Sequence, residues 1–334
     1  MARLWHSGLE TGFAFDSVTG SIILSTAQAR TGSSSFYIGT GGDGAQYGTI
    51  TLPSALTEVF VRLCVFRSNS WETGHLLLIQ DSAGGSQMSL RYVSRTDYRL
   101  YVLLGATTVI GTSTTPIPLN TWCRIEFRLL VNNTTGVAQL KIDGTQEVDF
   151  SGDTQATANA NLQRLHFGRA GSSSFPLQGY FDDLAINDTG GALNNSWPGS
   201  SGILARTPNG AGYYTQLTPS AGLNYECVDE MPPNITDYVS GASANLKDSY
   251  IKAPLGTTGV VRAVQFNCYA AQGEAGTSGI ASLVRRSGVD YQGADQATAV
   301  AWKNYREMLE TDPSTAAAWT VAGVDAAEIG VVLR

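Results

Sequence analysis

Apolar and polar residues alternate at every second position along many segments of the first two hundred residues. Clear examples are Glu58–Phe66, Gln87–Val93 and Trp122–Leu130. Because successive side chains of a strand point to opposite faces, this period of two predicts strands with one buried and one exposed face. Runs rich in Gly, Asn and Thr separate these segments, as at 132–136, and have the composition of turns. The pattern therefore predicts an antiparallel β-sandwich.

One hairpin is predicted in more detail. Ala138–Ile142 and Gln146–Phe150 flank the pair Asp143-Gly144. An Asp-Gly pair readily adopts the positive φ angles of a tight hairpin turn. We therefore expect the two segments to pair as neighbouring strands.

The alternation stops at Gly190–Gly202, where small polar residues dominate and predict a surface linker. β-like patterns resume in the second half of the chain, for example at Tyr225–Val228 and Gly279–Arg286. We predict a first domain at 1–195, a linker at 196–212 and a smaller domain at 213–334. The expected fold class is all-β, with two tandem antiparallel β-sandwich (jelly-roll-like) domains.

The segment 299–309 fits two patterns. Residues such as Trp302 and Tyr305 recur at helical spacing, while simple alternation also separates the segment into two faces. On the pattern alone a helix is favoured. Farther along, one turn of helix is predicted at Val324–Ile329 and a last strand at Gly330–Leu333.

Four segments of the first domain occur in a characteristic order: Ala29–Ile38, Asn120–Phe127, the hairpin Leu140–Gly144, and the closing pair Leu165–Gly168 with Gly179–Ile186. Together they resemble the laminin-G/concanavalin A-like jelly roll. Their order and spacing match over about residues 8–190. The resemblance implies a two-sheet jelly roll for this part of the chain.

The same resemblance allows a calcium ion near a rim of loops. Asp43, Asp81 and the pair Asp182–Asp183 offer the hard oxygen ligands that calcium takes. Each also has an alternative interpretation, since Asp43 suits a turn and one member of the pair is expected to face solvent. No ligand set is assigned, and no other cofactor is expected.

Five segments of the second domain carry a second resemblance: Asn224–Glu230, Thr236–Val239, Asp248–Tyr250, Val289–Gly293 and Glu310–Thr320. In combination they resemble a β-sandwich module that recurs at the C-terminus of tailed-bacteriophage virion proteins. In that family the residues before Glu310 are extended, so the resemblance favours a strand over a helix at 299–309. It implies a structural virion protein of the tail, a fibre or the capsid exterior, synthesised in the host cytoplasm. Such a protein would form homo-oligomers and contact other virion proteins.

Composition narrows the possible partners. The 334 residues include 21 Lys and Arg against 28 Asp and Glu, a net charge of −7, which argues against nucleic acid as a partner. No apolar run is long enough to span a bilayer, and the first residues lack a signal-peptide pattern, so membrane insertion and secretion are not expected. The four cysteines, which are far apart in apolar runs, are expected to be buried free thiols. They are Cys64, Cys123, Cys227 and Cys268.

Candidate catalytic groups are few. Glu147-Val-Asp149 is similar to the start of a laminarinase-like Glu-x-Asp-x-x-Glu signature, but Gly152 stands where the second glutamate is required. The three histidines are isolated in sequence, which argues against a catalytic triad or a zinc cluster. We therefore predict no catalytic residue and no enzyme, with a glycan hydrolase kept as an unfavoured alternative.

Carbohydrate binding is the main alternative to a structural role. It needs exposed aromatic rings beside polar groups, and Trp71 in a polar loop and Tyr98 are the best candidates. The opposing interpretation is that Trp71 packs over an edge of the sandwich. Trp122, Trp302 and Trp319 have strand-like positions and are expected in the core. The alternative function is thus an adhesin that recognises host surface glycans through Trp71 and Tyr98.

Overall fold

The computed structural model describes residues 2–12, 15–39, 44–68, 74–94, 96–170, 178–273 and 279–334. The chain divides into two compact units, Met1–Ile203 and Leu204–Arg334. The division lies within the segment 196–212 for which the sequence predicts a linker.

The described part of the first unit consists of strands joined by turns and loops. The strands are β1 (Arg3–Ser7), β2 (Ser17–Thr19), β3 (Ile22–Ser25), β4 (Ser35–Ile38), β5 (Gln46–Leu56), β6 (Glu58–Arg67), β7 (His75–Gln80), β8 (Ser86–Tyr92), β9 (Leu100–Leu104), β10 (Thr108–Thr112), β11 (Trp122–Leu130), β12 (Gly136–Ile142), β13 (Thr145–Gly152), β14 (Leu162–Ala170) and β15 (Gly179–Asn187).

These strands form two antiparallel sheets. The first sheet has the order β13-β12-β11-β6-β15-β4-β3, with β1 also paired to β15, and the second has the order β10-β9-β8-β7-β14-β5-β2. Alternate side chains of both sheets meet in one core, to which the first contributes Leu63 and Phe127 and the second Leu90 and Phe167. The predicted jelly-roll-like β-sandwich is confirmed for this unit.

The predicted hairpin is also confirmed. Leu140 of β12 lies opposite Val148 of β13. The turn residues Asp143 and Gly144 have φ angles of 49° and 94°, the left-handed region that an Asp-Gly pair favours.

The second unit is built from shorter strands. Its elements are β16 (Pro208–Thr215), β17 (Thr218–Pro219), a 3-10 helix (Asn224–Cys227), β18 (Val239–Ser240), β19 (Lys247–Lys252), β20 (Val264–Ala270), β21 (Gly279–Arg286), β22 (Val289–Gln292), β23 (Gln296–Ala297), β24 (Lys303–Leu309), β25 (Thr311–Asp312), β26 (Ala317–Ala318), α1 (Val321–Asp325) and β27 (Glu328–Leu333). The main antiparallel sheet has the order β16-β19-β27-β21-β22, and β20 pairs with β24.

Two local predictions for this unit have opposite outcomes. The strand that the virion-module resemblance favours at 299–309 is confirmed as β24, which pairs with β20 along its whole length. The strand predicted at Tyr225–Val228 is wrong, because the chain there forms a 3-10 helix. The Glu226 carboxylate accepts a hydrogen bond of 2.9 Å from the amide of Leu223, which favours a tight turn over an extended strand.

A helical turn precedes the last strand as predicted, but only the first two residues of the predicted range Val324–Ile329 are helical, and its last two belong to β27. The helix spans Val321–Asp325 because the Thr320 hydroxyl accepts a hydrogen bond from the amide of Gly323 and caps its first turn. No helix among the described residues is long and apolar enough to cross a membrane.

The cysteines and tryptophans largely follow the sequence prediction. Three of the four free thiols are buried, and Cys268 is half-buried. Trp319 lies in the core with 4% of its surface exposed. Trp122 and Trp302, which were also expected in the core, are half-buried.

Candidate functional site

The two sheets of the first unit differ in their charged residues. The strands of the second sheet contain arginine and histidine but no aspartate or glutamate. The strands of the first sheet contain six acidic residues, Glu58, Glu126, Glu147, Asp149, Asp182 and Asp183. The second sheet is therefore the cationic side of an acidic protein.

The outer face of the second sheet carries aromatic and polar side chains. Because Leu165 and Phe167 point into the core, His166 between them points outward. Strand register and alternation define this surface, called the His166 face below, by seven of its residues: Tyr47, Thr49, Gln80, Arg91, Tyr101, Arg164 and His166.

His166 is held by its neighbours on both sides. Its Nδ1 lies 2.8 Å from the Thr49 hydroxyl and its Nε2 lies 2.8 Å from Oε1 of Gln80. The Tyr47 ring packs edge-on against the imidazole, with 4.7 Å between the ring centroids. Burial lowers the pKa of His166 to about 4, and the positive charge of Arg164 contributes to the decrease. The imidazole is thus neutral at pH 7.

Two guanidinium groups on this face lack a carboxylate partner. Within the described ranges, the side chains of Arg91 and Arg164 form no ion pair, and Nε of Arg91 is buried without a hydrogen-bond partner. Arg91 lies opposite His75 on one side and Tyr101 on the other. Burial lowers the pKa of His75 to about 4, and Arg91 lowers it too. Both arginines thus keep an uncompensated charge.

Two arginines on the outer face of the first sheet are paired with carboxylates. Arg128 lies 2.7 Å from Glu58, and Arg124 lies 3.1 Å from Glu126. The segment after β15 also covers part of this face, where the Trp197 ring packs against Phe60 at 5.5 Å. Part of this face is therefore neutralised by ion pairs, and part of it is covered by the segment after β15.

The paired aspartates of β15 do not behave as the sequence predicts. Both are fully buried, so the expectation that one of them faces solvent is wrong. Asp183 accepts hydrogen bonds of 2.7 Å from the Thr31 hydroxyl and the amide of Ile203, and it also pairs with the Arg30 guanidinium. Asp182 accepts bonds of 2.6 Å from the amides of Arg30 and Asp183. The covering segments bury both carboxylates.

These contacts bear on the calcium prediction. Every carboxylate oxygen of Asp182 and Asp183 already accepts a hydrogen bond from the protein, whereas calcium takes six to eight oxygen ligands. Asp81 is likewise held, by the amides of Ala83 and Gly85 and by two side chains of the loop before β14. Neither candidate fits a calcium site, and no metal-binding group of three such side chains occurs among the described residues. Asp43 lies outside the described residues, so calcium there stays a prediction.

Burial instead perturbs the acid–base behaviour of this region. It raises the pKa of Asp182 to about 8, with a further contribution from the negative charge of Asp183. It raises the pKa of the nearby Glu10 to about 7, although amides of Ser33 and Ser34 bond that carboxylate. Both groups are therefore protonated in the folded state at mildly acidic pH.

Of the two predicted glycan contacts, one can be placed. Trp71 lies outside the described residues. Tyr98 is half-buried, packs on the core and has the guanidinium carbon of Arg67 3.5 Å from its ring centroid. One face of its ring is thus occupied by the protein itself. Their role as glycan contacts stays a prediction.

The carboxylates that resemble a glycosidase signature have structural partners. Glu147 accepts hydrogen bonds from the hydroxyls and amides of Thr114 and Thr115, and Asp149 accepts one from Gln139. Burial would raise the pKa of Glu147, but these hydrogen bonds outweigh it and lower the pKa. The pair therefore links β13 to its surroundings.

Comparison with known proteins returned no matching family model and no matching curated protein. Solved structures are similar at low identity. Domain 4 of AbnA, a GH43 extracellular arabinanase from Geobacillus stearothermophilus in complex with arabinotriose, matches at 16% identity and a TM-score of 0.42, over 56% of this chain and 92% of that one. An alginate lyase from Chlorella virus matches at 13% identity and a TM-score of 0.39, over 54% of this chain and 96% of that one. A Bacillus subtilis protein with a galectin-like fold matches at 12% identity and a TM-score of 0.39, over 56% of this chain and 96% of that one.

These likenesses concern the fold. The jelly-roll part of the predicted resemblance is confirmed, while the closer assignment to laminin-G domains and the virion module stay predictions. The prediction that the chain is not an enzyme is contradicted, because alginate lyases occur among the structures it resembles. A missing Glu-x-Asp-x-x-Glu signature excludes one kind of catalytic site, but a sandwich can present others on its sheet faces.

Proposed function

We propose that the first unit binds a carbohydrate chain across the His166 face. The observation that carries this proposal is the set of aromatic and hydrogen-bonding side chains on the outer face of the second sheet, which are half-buried except for His166 and the threonine bonded to it, both buried. Tyr47 lies on β5 beside His166. Tyr101 lies on β9, three strands from β14, with the guanidinium carbon of Arg91 5.9 Å from its ring centroid. Both rings offer surfaces that sugar C–H groups pack against. Gln80 and the two arginines offer donors for hydroxyl and acidic groups.

The central part of this surface is pre-organised. Gln80, His166 and Thr49 form a hydrogen-bonded series across three strands. With Oε1 of Gln80 accepting from the imidazole, the amide nitrogen of Gln80 is left to donate. Side chains fixed in this way lose little rotamer entropy when a ligand binds.

Cleavage of the bound glycan is a second candidate function, favoured by the contact between Tyr47 and His166. The Tyr47 phenol can donate a proton, and the Nδ1 lone pair of His166 can accept one once its hydrogen bond from the Thr49 hydroxyl is broken, which together provide the groups that general acid–base catalysis needs. Both rings lie on the surface where the glycan is proposed to bind. Cleavage is measured by incubating the protein with each polysaccharide and following the chain length and the unsaturated or reducing ends.

Binding is tested by affinity electrophoresis of the full chain through gels that contain one polysaccharide each. We expect retardation of the wild type and at least tenfold weaker binding of Tyr101→Ala, since stacking on an aromatic ring is lost. Tyr180→Ala is the matched control, because Tyr180 lies on the outer face of the first sheet against Tyr37. Equal weakening by both variants, or no retardation in any gel, contradicts the proposal.

We also propose, from the sequence resemblance, that the second unit mediates assembly with further copies and with other virion proteins. Its exposed apolar side chains support this role: Val260 and Val300 are 79% and 81% exposed, and Tyr213 is 67% exposed. The glycan-binding unit would then be displayed on a particle formed in the host cytoplasm. Light scattering after size exclusion tests this, and a strictly monomeric chain at all concentrations contradicts it.

A further inference from the structure

We propose that the glycan bound on the His166 face is anionic, with carboxylate or sulfate groups on sugars several units apart. This inference rests on the proposed function and specifies its ligand class. It follows from the charge of the face, the unpaired guanidinium groups and their separation.

The charge of the face is the first support. None of the strands of the second sheet contributes an acidic residue, although the chain as a whole has a net charge of −7. Nearby acids in the described connections are engaged: Asp97 pairs with Arg99 at 2.5 Å, and Asp16 accepts a hydrogen bond from the amide of Thr51. An anion approaching the described strands of this sheet therefore meets positive charge and no carboxylate from the strands themselves.

The state of the two arginines is the second support. Arginine is always charged and presents a planar set of donors that matches the oxygens of a carboxylate or sulfate. On the first sheet, Arg124 and Arg128 have acidic partners from the protein. Arg91 and Arg164 have none among the described residues. A ligand oxyanion at the outer ends of these side chains would supply the partner that the fold does not.

Strand register gives the separation of the two charges. Arg164 of β14 lies opposite Gln80, and Arg91 of β8 lies opposite His75, at the two ends of β7. Five residues of a strand and two inter-strand spacings place their Cα atoms roughly 19 Å apart. That distance exceeds the length of one sugar, so the two sites would contact different units of an extended chain.

The test measures affinity of the full chain for four probes at low ionic strength: polygalacturonate, heparin, a neutral β-glucan and double-stranded DNA. The variants are Arg91→Gln and Arg164→Gln, and Arg128→Gln removes the same charge from the other sheet. Circular dichroism melting confirms that each variant is folded. The carboxylated and sulfated probes distinguish which oxyanion is preferred.

We expect the preferred acidic glycan to bind at least tenfold tighter than the neutral glucan, with affinity falling as salt rises. Each variant of the face should weaken binding about tenfold, as expected for loss of a charge-assisted hydrogen bond, while Arg128→Gln leaves it unchanged. If the neutral glucan binds the His166 face as tightly as the acidic glycans do, the proposed function stands and this inference fails. Equal binding of DNA, or equal weakening by Arg128→Gln, also overturns it. Absence of binding to every glycan refutes the proposed function itself.

Discussion

Nε2 of His166 lies 2.8 Å from Oε1 of Gln80, which joins the middle of β14 to the end of β7 on the outer surface of the second sheet. Because Thr49 occupies the other ring nitrogen, the imidazole is held on both sides. The pKa of His166, lowered mainly by burial to about 4, keeps this arrangement neutral over the physiological range. The orientation of His166 therefore depends on a neighbouring amide.

Replacing that amide should loosen the face. Gln80→Ala leaves the Nε2–H of a buried imidazole without its acceptor, so we expect a loss of about 1–3 kcal/mol in the free energy of unfolding. Glycan affinity should fall as well, because His166 is no longer held by Gln80 and the Tyr47 ring that packs against it is then less well oriented. Gln139→Ala on the first sheet, where Gln139 bonds the exposed Asp149, serves as the control. Denaturant unfolding and affinity electrophoresis measure the two effects, and a Gln80→Ala variant with wild-type affinity would contradict the proposed role of the pair.

Much of the first unit could be predicted from the sequence because its strands have one buried and one exposed face. The same alternation places Tyr47, Arg91 and His166 on outer faces, but it does not reveal which strands become neighbours. Thr49, His166 and Gln80 are far apart in the chain and meet only through the strand order β5-β14-β7. The absence of acidic residues from the strands of one sheet was a usable signal, although it too appears only once the strands are assigned to sheets.

The Asp182–Asp183 pair shows where local pattern fails. Alternation requires one of two adjacent strand residues to face outward, and an outward carboxylate is expected to be hydrated. Here the register of β15 shifts between Asp182 and Ala185, and segments distant in the chain cover the outward side. Burial of a charged group by tertiary contacts with Arg30, Thr31 and Ile203 has no signature in the β15 sequence itself.

The two predicted glycan contacts should respond differently to removal. Tyr98→Ala should reduce stability by about 3 kcal/mol, since the ring packs on the core and under the Arg67 guanidinium. Trp71→Ala should weaken glycan binding without a comparable loss of stability if the sequence prediction is correct. Thermal melting and affinity electrophoresis separate the two effects. A Trp71→Ala variant with wild-type affinity would remove Trp71 from the binding surface.

Stability of the first unit should pass through a maximum near pH 6.5. His6, His75 and His166 have folded-state pKa values lowered, chiefly by burial, to about 3, 4 and 4. Between pH 4 and 6.5 the unfolded chain binds more protons at these groups, so they make stability rise with pH. Asp182 and Glu10 act oppositely, because their folded pKa values are raised to about 8 and 7. The stabilisation that these two carboxyl groups contribute is complete below pH 4 and is lost as pH rises to 8.

Below pH 6.5 the three histidines outweigh the two carboxylates, so the stability of the unit rises with pH. Above pH 6.5 only the two carboxylates still bind protons differently in the folded and unfolded states, so stability falls. Melting temperatures from pH 4 to 9 measure the profile. Asp182→Asn should flatten the decline above pH 7, whereas His166→Gln should reduce the rise below pH 6. A wild-type melting temperature that rises steadily to pH 9 would contradict the raised pKa of Asp182.

Asp183 anchors the cover of the first sheet, and its removal tests whether that region is held by protein contacts or by a metal. Asp183→Asn keeps the shape of the side chain but removes the charge that Arg30 pairs with, on a residue with no exposed surface. Breaking a buried ion pair costs about 3–5 kcal/mol, and the melting temperature should therefore fall by roughly 6–20 °C. Asp149→Asn on the exposed edge strand is the control and should change little.

The metal question is decided by repeating both melts with calcium and with a chelator. Because the oxygens of Asp183 accept bonds from Arg30, Thr31 and Ile203, we expect the loss caused by Asp183→Asn to be the same in both conditions. Calcium that stabilises the wild type but not Asp183→Asn would instead assign the ion to this pair. Calcium that stabilises the wild type and Asp183→Asn equally would point to another site, and Asp43→Asn would then test the remaining candidate.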